Sequence, residues 1–383
     1  MNTMLKMLKN RHLVVVLLSI AIYELILLLA FNVSMFKPIG IAIKEFSLSD
    51  VYSRWERKIR GTDSLANEDI IIVNTKNLTK REDIASVIRM VYSVSPRVIG
   101  VDITFNEPKD SINDKSLIAV ADSVGDSTVF ACKLTDFSNG VNAFNNIVKP
   151  FFAKDNDATI LGYDNLNDNL EGKCIRSFSF SQQVVNYKAI YSLPAAMMNL
   201  NGHDLPKANK TYQIDYTTSN FISIAYDSIR AYADLIAGRM ILIGSLNDEE
   251  DMHLTPLGKM SGVQIHAYTL NTLINHSSPK HVSDFWNWII AIIIGFSVEL
   301  SICSLNKFLA RRKVKIRIFL SESLILLRLL MLLWLSTIGM VSFLLFWKFN
   351  IYIETILPLA IAAFIPDVHR IYNAILHSMN SRK

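Results

Sequence analysis

IIIVNTKNLTKREDIASVIRMVYSVSPRVIGVDITF, residues 70–105, is the stretch that decides the fold of the chain's central part. Its first four residues are all β-branched, which suits a strand buried on both faces, as in a parallel sheet. Ile84, Val87, Ile88, Val91 and Val94 then recur at helical spacing. Pro96 opens a second strand over residues 97–105. Strand, helix and strand in this order predict a βαβ unit with a right-handed crossover. Outward from it, SLSDVYSRWERKIRG (47–61) reads as a short amphipathic helix capped by Ser49 or Asp50. STVFACKL (127–134) and MILIG (240–244) supply two further apolar strands, and GVQIHAYTLNTLI (262–274) supplies a helix. Residues 136–216 are polar and irregular, with short strands expected at 159–162 and 175–180. The expected class is an α/β domain with a mostly parallel sheet. No internal repeat is visible.

The ends of the chain read differently. Charged residues make up 19% of the 383 positions and hydrophobic ones 51%, whereas a soluble domain carries about a quarter charged residues. Mean hydropathy is +0.28. The net charge of +5 is unevenly spread. Residues 37–284 hold 25 Lys+Arg against 29 Asp+Glu, and the two ends hold 14 against 5. The basic surplus therefore flanks the apolar runs, where Lys and Arg mark the cytoplasmic side. A nucleic-acid interface would need that surplus on the folded domain, so this class is set aside.

HLVVVLLSIAIYELILLLAF (12–31) is about the length needed to cross a bilayer and follows Lys6, Lys9 and Arg11. No small-x-small cleavage site follows it, so it reads as an uncleaved signal-anchor with its N-terminus inside. Phe285–Leu305 opens with Trp286 and Trp288, residues suited to the outer interface. Lys307, Arg311, Arg312, Lys313, Lys315 and Arg317 mark the next loop as cytoplasmic. Apolar runs at 318–347 and 351–365 add a third and a fourth span, and Arg370, Arg382 and Lys383 lie beyond them. The expected plan is a cytoplasmic segment 1–11, a signal-anchor 12–36, an extracytoplasmic α/β domain 37–284, three transmembrane helices in 285–365 and a cytoplasmic tail 366–383. Four transmembrane α-helices and two cytoplasmic termini follow from it.

Ligands of open parallel sheets bind outside the carboxyl ends of the strands. One loop there carries Asp102, Asn106 and Glu107; another carries Asp248, Glu249, Glu250, Asp251, His253 and Thr255. Asp102, Asn106, Glu107, Asp251 and Thr255 are the candidate ligand-binding or docking residues. In the competing reading Asp102 orients its own loop, the acidic run is solvated, and Thr255 with Pro256 closes a turn by local hydrogen bonds. No metal motif, catalytic triad, phosphate loop or dinucleotide fingerprint is present. No cofactor, metal or catalytic residue is therefore assigned, and an enzyme is not expected. Within the apolar runs stand Glu24, Glu299, Arg328 and Glu354. Counting about 1.5 Å per helical residue places Glu299 and Arg328 at similar depth and predicts a transmembrane ion pair between them.

SPRVIGVDITFNEP (95–108), GYDNLNDNLEGKCIRSFSF (162–180) and GRMILIGSLNDEEDMHLTPLGKMSGVQIHAYTLNTLI (238–274) together resemble the type-2 CHASE domain, an extracytoplasmic sensory module of bacterial receptors. Asp102, Asp251, Thr255, Pro256, Gly258, Gly262 and His266 stand at positions of its motifs. The chain departs from the pattern at Asn74, where the family commonly has Asp, and at Lys173, where an apolar residue is more usual. The resemblance covers about residues 50–274, and the one-plus-three arrangement of spans is also similar. It implies a receptor in the bacterial inner membrane whose outer domain detects a stimulus. Members usually end in a cyclase, a kinase or a cyclic-dinucleotide domain, and the 18 residues from 366 to 383 are too few to fold as one. The leading expectation is a sensor whose output comes from a separate polypeptide. The second is a structural or anchoring subunit of a cell-envelope complex, and the third a small transporter or proton path along the intramembrane charges. Expected partners are the lipid bilayer and other membrane or envelope proteins, with self-association left open. Cys132 and Cys174 lie in the outer domain, where either a disulfide or two buried thiols would be compatible with the compartment.

Overall fold

The computed structural model describes residues 10–32, 47–62, 65–76, 78–109, 111–153, 159–166, 174–203, 211–311 and 324–381. Lys6, Lys9, Arg312, Lys313, Lys315, Arg317, Arg382 and Lys383, which set the expected orientation, lie outside the described residues, as does Lys173. The chain forms two compact units, one from Ser53–Pro279 and one from its two ends. In chain order the principal elements are α1 (Arg11–Asn32), α2 (Leu48–Arg60), β1 (Ala66–Asn74), α3 (Arg81–Ser93), β2 (Val98–Val101) and α4 (Ser111–Val124). Then follow β3 (Thr128–Ser138), β4 (Ala143–Val148), β5 (Ile160–Tyr163), α5 (Leu193–Leu200), β6 (Asn220–Ala225) and β7 (Met240–Gly244). The remainder comprises β8 (Met252–Thr255), β9 (Gly258–Ser261), α6 (Gly262–Ile274), α7 (Asp284–Ala310), α8 (Leu324–Phe349) and α9 (Ile356–Ser381).

Unit Ser53–Pro279 is built on one sheet of strand order β6-β1-β7-β2-β3-β4, with β5 also pairing with β3. Every pairing is parallel except that of β3 with β4. The mostly parallel α/β reading is therefore correct. The expected βαβ unit is present but split, because β7 lies between β1 and β2: Leu242 faces Ile72 on one side and Gly100 on the other. Alternate side chains of a strand leave opposite faces, and here both faces are covered. Ile70, Ile72, Val98, Met240 and Leu242 pack with Leu193, Met197 and Val263 of α5 and α6. Ile71, Val73, Ile99, Val101, Ile241 and Ile243 pack with Ile84, Ile88, Leu117 and Val124 of α3 and α4. This is why β1 and β7 are apolar at every central position rather than at alternate ones.

Helix α5 lies close on the sheet. A Cβ on Gly162 would stand 2.6 Å from the Leu193 Cα, and one on Gly100 would strike the Met197 sulfur. Helix α2 starts at Leu48, so Ser49 and Asp50 fall in its first turn instead of capping it. Both Cys132 and Cys174 are buried thiols rather than a disulfide.

In the unit formed by the chain ends, three segments are long and apolar enough to cross a membrane: Arg11–Leu29, Asp284–Leu309 and Leu326–Phe349. The fourth run departs from expectation. Ile351 and Tyr352 pair in parallel with Lys280 and His281, and α9 begins only at Ile356. It continues through Pro366 to Ser381, so the stretch 366–381 is helical and continuous with the apolar run. An interior proline costs one intrahelical bond and crowds the preceding turn, yet the helix runs on beyond Pro366. Val15, Val16, Ala291, Val298, Ile302, Ile361, Ala362 and Ile365 form the shared core of α1, α7 and α9.

The expected Glu299–Arg328 pair is not formed. Glu299 is fully buried and lies 2.8 Å from His369 Nδ1 of α9, with Arg11 and His12 of α1 at 3.6 and 3.3 Å. Arg328 is exposed on α8, which packs chiefly on α9 rather than on α7. Equal depth does not fix which way a residue points around its helix, and that is where the count along the chain fails. Glu24 is also exposed, and Glu354 sits 3.5 Å from His281.

Candidate functional site

Parallel strands end at a common edge, and here that edge holds a polar cavity of about 160 Å³. Asp102, Lys133, Asp164, Asp251, His253 and His266 line it. Asp102 follows the last residue of β2, and its N–H donates to the Ile243 carbonyl of β7 at 2.8 Å. Asp164 follows the last residue of β5 and donates likewise to the Cys132 carbonyl of β3 at 3.0 Å. Lys133 is the next residue on β3. Asp251 comes from the loop after β7, His253 from β8, and His266 from the first half of α6. Five separate stretches of chain thus meet at the carboxyl ends of β2, β7 and β5, where open α/β sheets bind their ligands.

Asp251 has two duties. Its Oδ2 accepts the Gly262 N–H at 2.9 Å, and its Oδ1 lies 3.1 Å from His253 Nε2. Gly262 is the first residue of α6, so the carboxylate caps the positive end of that helix. A Cβ at position 262 would stand 2.7 Å from Asp251 Oδ2, which is why a glycine is needed there. Gln264 completes the cap by accepting from the Ser261 N–H and hydroxyl at 3.2 and 3.1 Å.

Burial dominates the titration of the remaining groups. Burial, and then the charge of Asp251, pushes the Asp102 carboxyl up from 3.8 to about 7, against the opposing pull of His253. Burial and Asp102 push Asp164 up to about 7, against His266 and Lys133. One Asp164 oxygen, Oδ1, is buried without a hydrogen-bond partner. Burial lowers the pKa of His266, so its imidazole is neutral at neutral pH. Its 3.7 Å approach to Asp102 is therefore a dipolar contact more than an ion pair. Two carboxyls that change charge near neutrality in one small cavity can take up protons or hold a small cationic group.

Of the residues expected from the sequence, Asp102 and Asp251 line the cavity and three do not. Asn106 and Glu107 are exposed beyond its lining, and the Glu107 carbonyl is held by the Arg81 guanidinium. Thr255 is 2% exposed. Its hydroxyl donates to the Gly258 carbonyl at 2.7 Å and accepts the Leu257 N–H at 3.2 Å, closing the β8–β9 hairpin. The local-turn reading holds for it. Asp248 is exposed and accepts the Glu250 N–H at 3.1 Å. Lys133 and Asp164 were not among the expected residues, although Asp164 stands in the GYDN turn already quoted. His266 was marked only as a motif position.

The family model of the CHASE2 domain matches residues 25–301. The chain belongs to the CHASE2 family. No curated protein and no solved structure matches it. CHASE2 is a sensory, extracytoplasmic domain, and the whole cavity falls within the matched residues. In this CHASE2 domain Asp251→Asn keeps an acceptor for Gly262 but removes the charge at the helix end. The expected loss is about 1 kcal/mol, or a melting temperature lower by about 2–4 °C, read by circular dichroism. A variant as stable as the parent would show that Asp251 does not close the loop.

Proposed function

We propose that the protein is a membrane-embedded sensor whose stimulus site is the cavity at the carboxyl edge of the CHASE2 sheet. The observation that carries this reading is the convergence of Asp102, Asp164 and Asp251 from separate loops on one polar cavity. Asp251 is paired, but Asp164 Oδ1 is buried without a hydrogen-bond partner, whereas purely structural carboxylates are ordinarily paired or solvated. Two carboxyls poised near neutrality beside Lys133 and His266 suit the binding of a small cationic group, and binding is the role assigned to the cavity. The spans then relay the bound state to a separate signalling polypeptide. In this reading α9 is a fourth membrane helix, both termini are cytoplasmic, and Ser53–Pro279 faces the periplasm or cell exterior of a bacterial inner membrane.

Affinity purification from detergent-solubilised membranes tests the relay. A partner should co-purify with the parent chain, and its recovery should change in an Asp102→Asn variant that folds normally. Equal recovery with both chains, in fixed stoichiometry with envelope proteins, would make the chain a structural anchor instead. Thiol labelling of intact cells tests the orientation: Lys109→Cys should react with an impermeant reagent and Arg312→Cys should not. The opposite pattern would reverse the topology.

A further inference from the structure

We infer that His12, Glu299 and Cys303 form a binding site for a borderline transition-metal ion of the Zn²⁺ class. Glu299 and Cys303 are one helical turn apart on α7 and so share a face, and His12 reaches them from the start of α1. Glu299 Oε1 lies 3.3 Å from His12 Nδ1 and 3.4 Å from Cys303 Sγ, and Sγ lies 3.9 Å from that nitrogen. A tetrahedral ion with bonds of about 2.0–2.3 Å holds its ligands roughly 3.3–3.6 Å apart. The three donor atoms already stand near those edges, all within 4.8 Å of one another. Among the described residues this is the only group of three such side chains that does so.

The surroundings match what a metal ligand requires. His369 Nδ1 lies 2.8 Å from Glu299 Oε2, and its Nε2 lies 2.6 Å from an Arg11 guanidinium nitrogen. His369 Nδ1 also lies 3.0 Å from Glu299 Oε1, and the same Arg11 nitrogen lies 3.2 Å from Nδ1, so the imidazole and the guanidinium together hold the Glu299 carboxylate in place. An ion pair with Arg11 alone does not account for the cluster. The Arg11 Nε stands 3.6 Å from Glu299 Oε1 and makes no hydrogen bond, and neither His12 nor Cys303 would be needed. One nitrogen, one oxygen and one sulfur donor suit Zn²⁺ and disfavour Mg²⁺ or Ca²⁺, which take oxygen ligands. Binding replaces the thiol proton of Cys303 by the metal and releases that proton to solvent, with no change of oxidation state. Three protein ligands leave one position for water.

The full chain, purified in detergent and stripped with a chelator, is titrated with Co²⁺ and then with Zn²⁺. One equivalent of Co²⁺ should give a thiolate-to-cobalt charge-transfer band, and one equivalent of Zn²⁺ should abolish it. Of the three cysteines, only Cys303 should matter: the band is lost in Cys303→Ser and kept in Cys132→Ser/Cys174→Ser. His12→Ala should weaken Co²⁺ binding at least about 10-fold. Cys303→Asp supplies an oxygen donor in place of sulfur, and it should bind Co²⁺ without the band. No band in the monodisperse parent chain overturns the site, as does a band that survives Cys303→Ser. Should Cys303→Ser misfold, parent-like Co²⁺ affinity in folded His12→Ala overturns it equally.

Discussion

Asp164→Asn is expected to stabilise the CHASE2 unit by roughly 2–3 kcal/mol at a pH of about 7.5 and to leave it nearly unchanged at a pH of about 4. The sign follows from proton counting. Asp102 and Asp164 both titrate at about 7 in the folded chain, against 3.8 for an unperturbed aspartate. Between those values the folded state holds more protons than the unfolded one, so stability falls as pH rises from about 4 to about 7 and then levels off. Asparagine mimics the neutral acid at every pH and removes one share of that fall. A full shift of this size would be worth about 4 kcal/mol for an isolated group. The lower figure reflects the pair titrating jointly, since the first carboxylate to ionise raises the other. Thermal unfolding across this pH range reads the effect directly. An unchanged pH slope in the variant would mean that Asp164 is not held neutral in the fold.

Asp114→Ala should be the most damaging single change in the same unit, costing about 3–5 kcal/mol. Arg81 and Asp114 form an ion pair in which both residues are nearly inaccessible, at 6% and 5% exposure. The guanidinium also donates to the Glu107 carbonyl and lies 4.7 Å from the centre of the Phe151 ring. Asp114 in turn accepts the Lys109 N–H at 2.9 Å. Removing the carboxylate strands a charge that no water can reach and frees the loop over residues 106–109. Faster hydrogen exchange at Lys109 should accompany a fall of about 10 °C in melting temperature. A combined Arg81→Met/Asp114→Leu variant should regain most of the loss, because apolar packing replaces a buried pair at little cost. A single variant losing less than about 1 kcal/mol would contradict the burial of this pair.

The legible parts of the molecule were those written in local periodicity. Ile70–Val73 and Met240–Gly244 could be read as strands because neighbouring positions are apolar, and residues 262–274 as a helix from their spacing. Leu117, Val120, Ala121 and Val124 carry an equally good helical pattern for α4, which the reading passed over. Helix α5 has only eight residues, too few for periodicity to distinguish it from a strand. Half of the cavity was legible for the same reason. Asp102 and Asp251 stand at strand ends that could be named in advance, whereas Lys133 and Asp164 meet them only through the pairing of β3 with β5. Glu299 was recognised as costly to bury, yet its partners beyond its own helix are His369, 70 positions along the chain, and Arg11 and His12 near its start. No spacing rule connects His369 to it.

The place of β7 also governs how this protein can be made. Strands β1 and β2 emerge early in synthesis, but their shared neighbour is encoded only at residues 240–244. Until that segment has been made, each would present an unpaired apolar edge, which invites mispairing. Closing so long a loop is slow compared with forming local contacts. The CHASE2 unit therefore cannot complete its sheet strand by strand in the order of synthesis. Its central pairings wait until almost all of it has been made, and until then the bare edges of β1 and β2 stay adhesive.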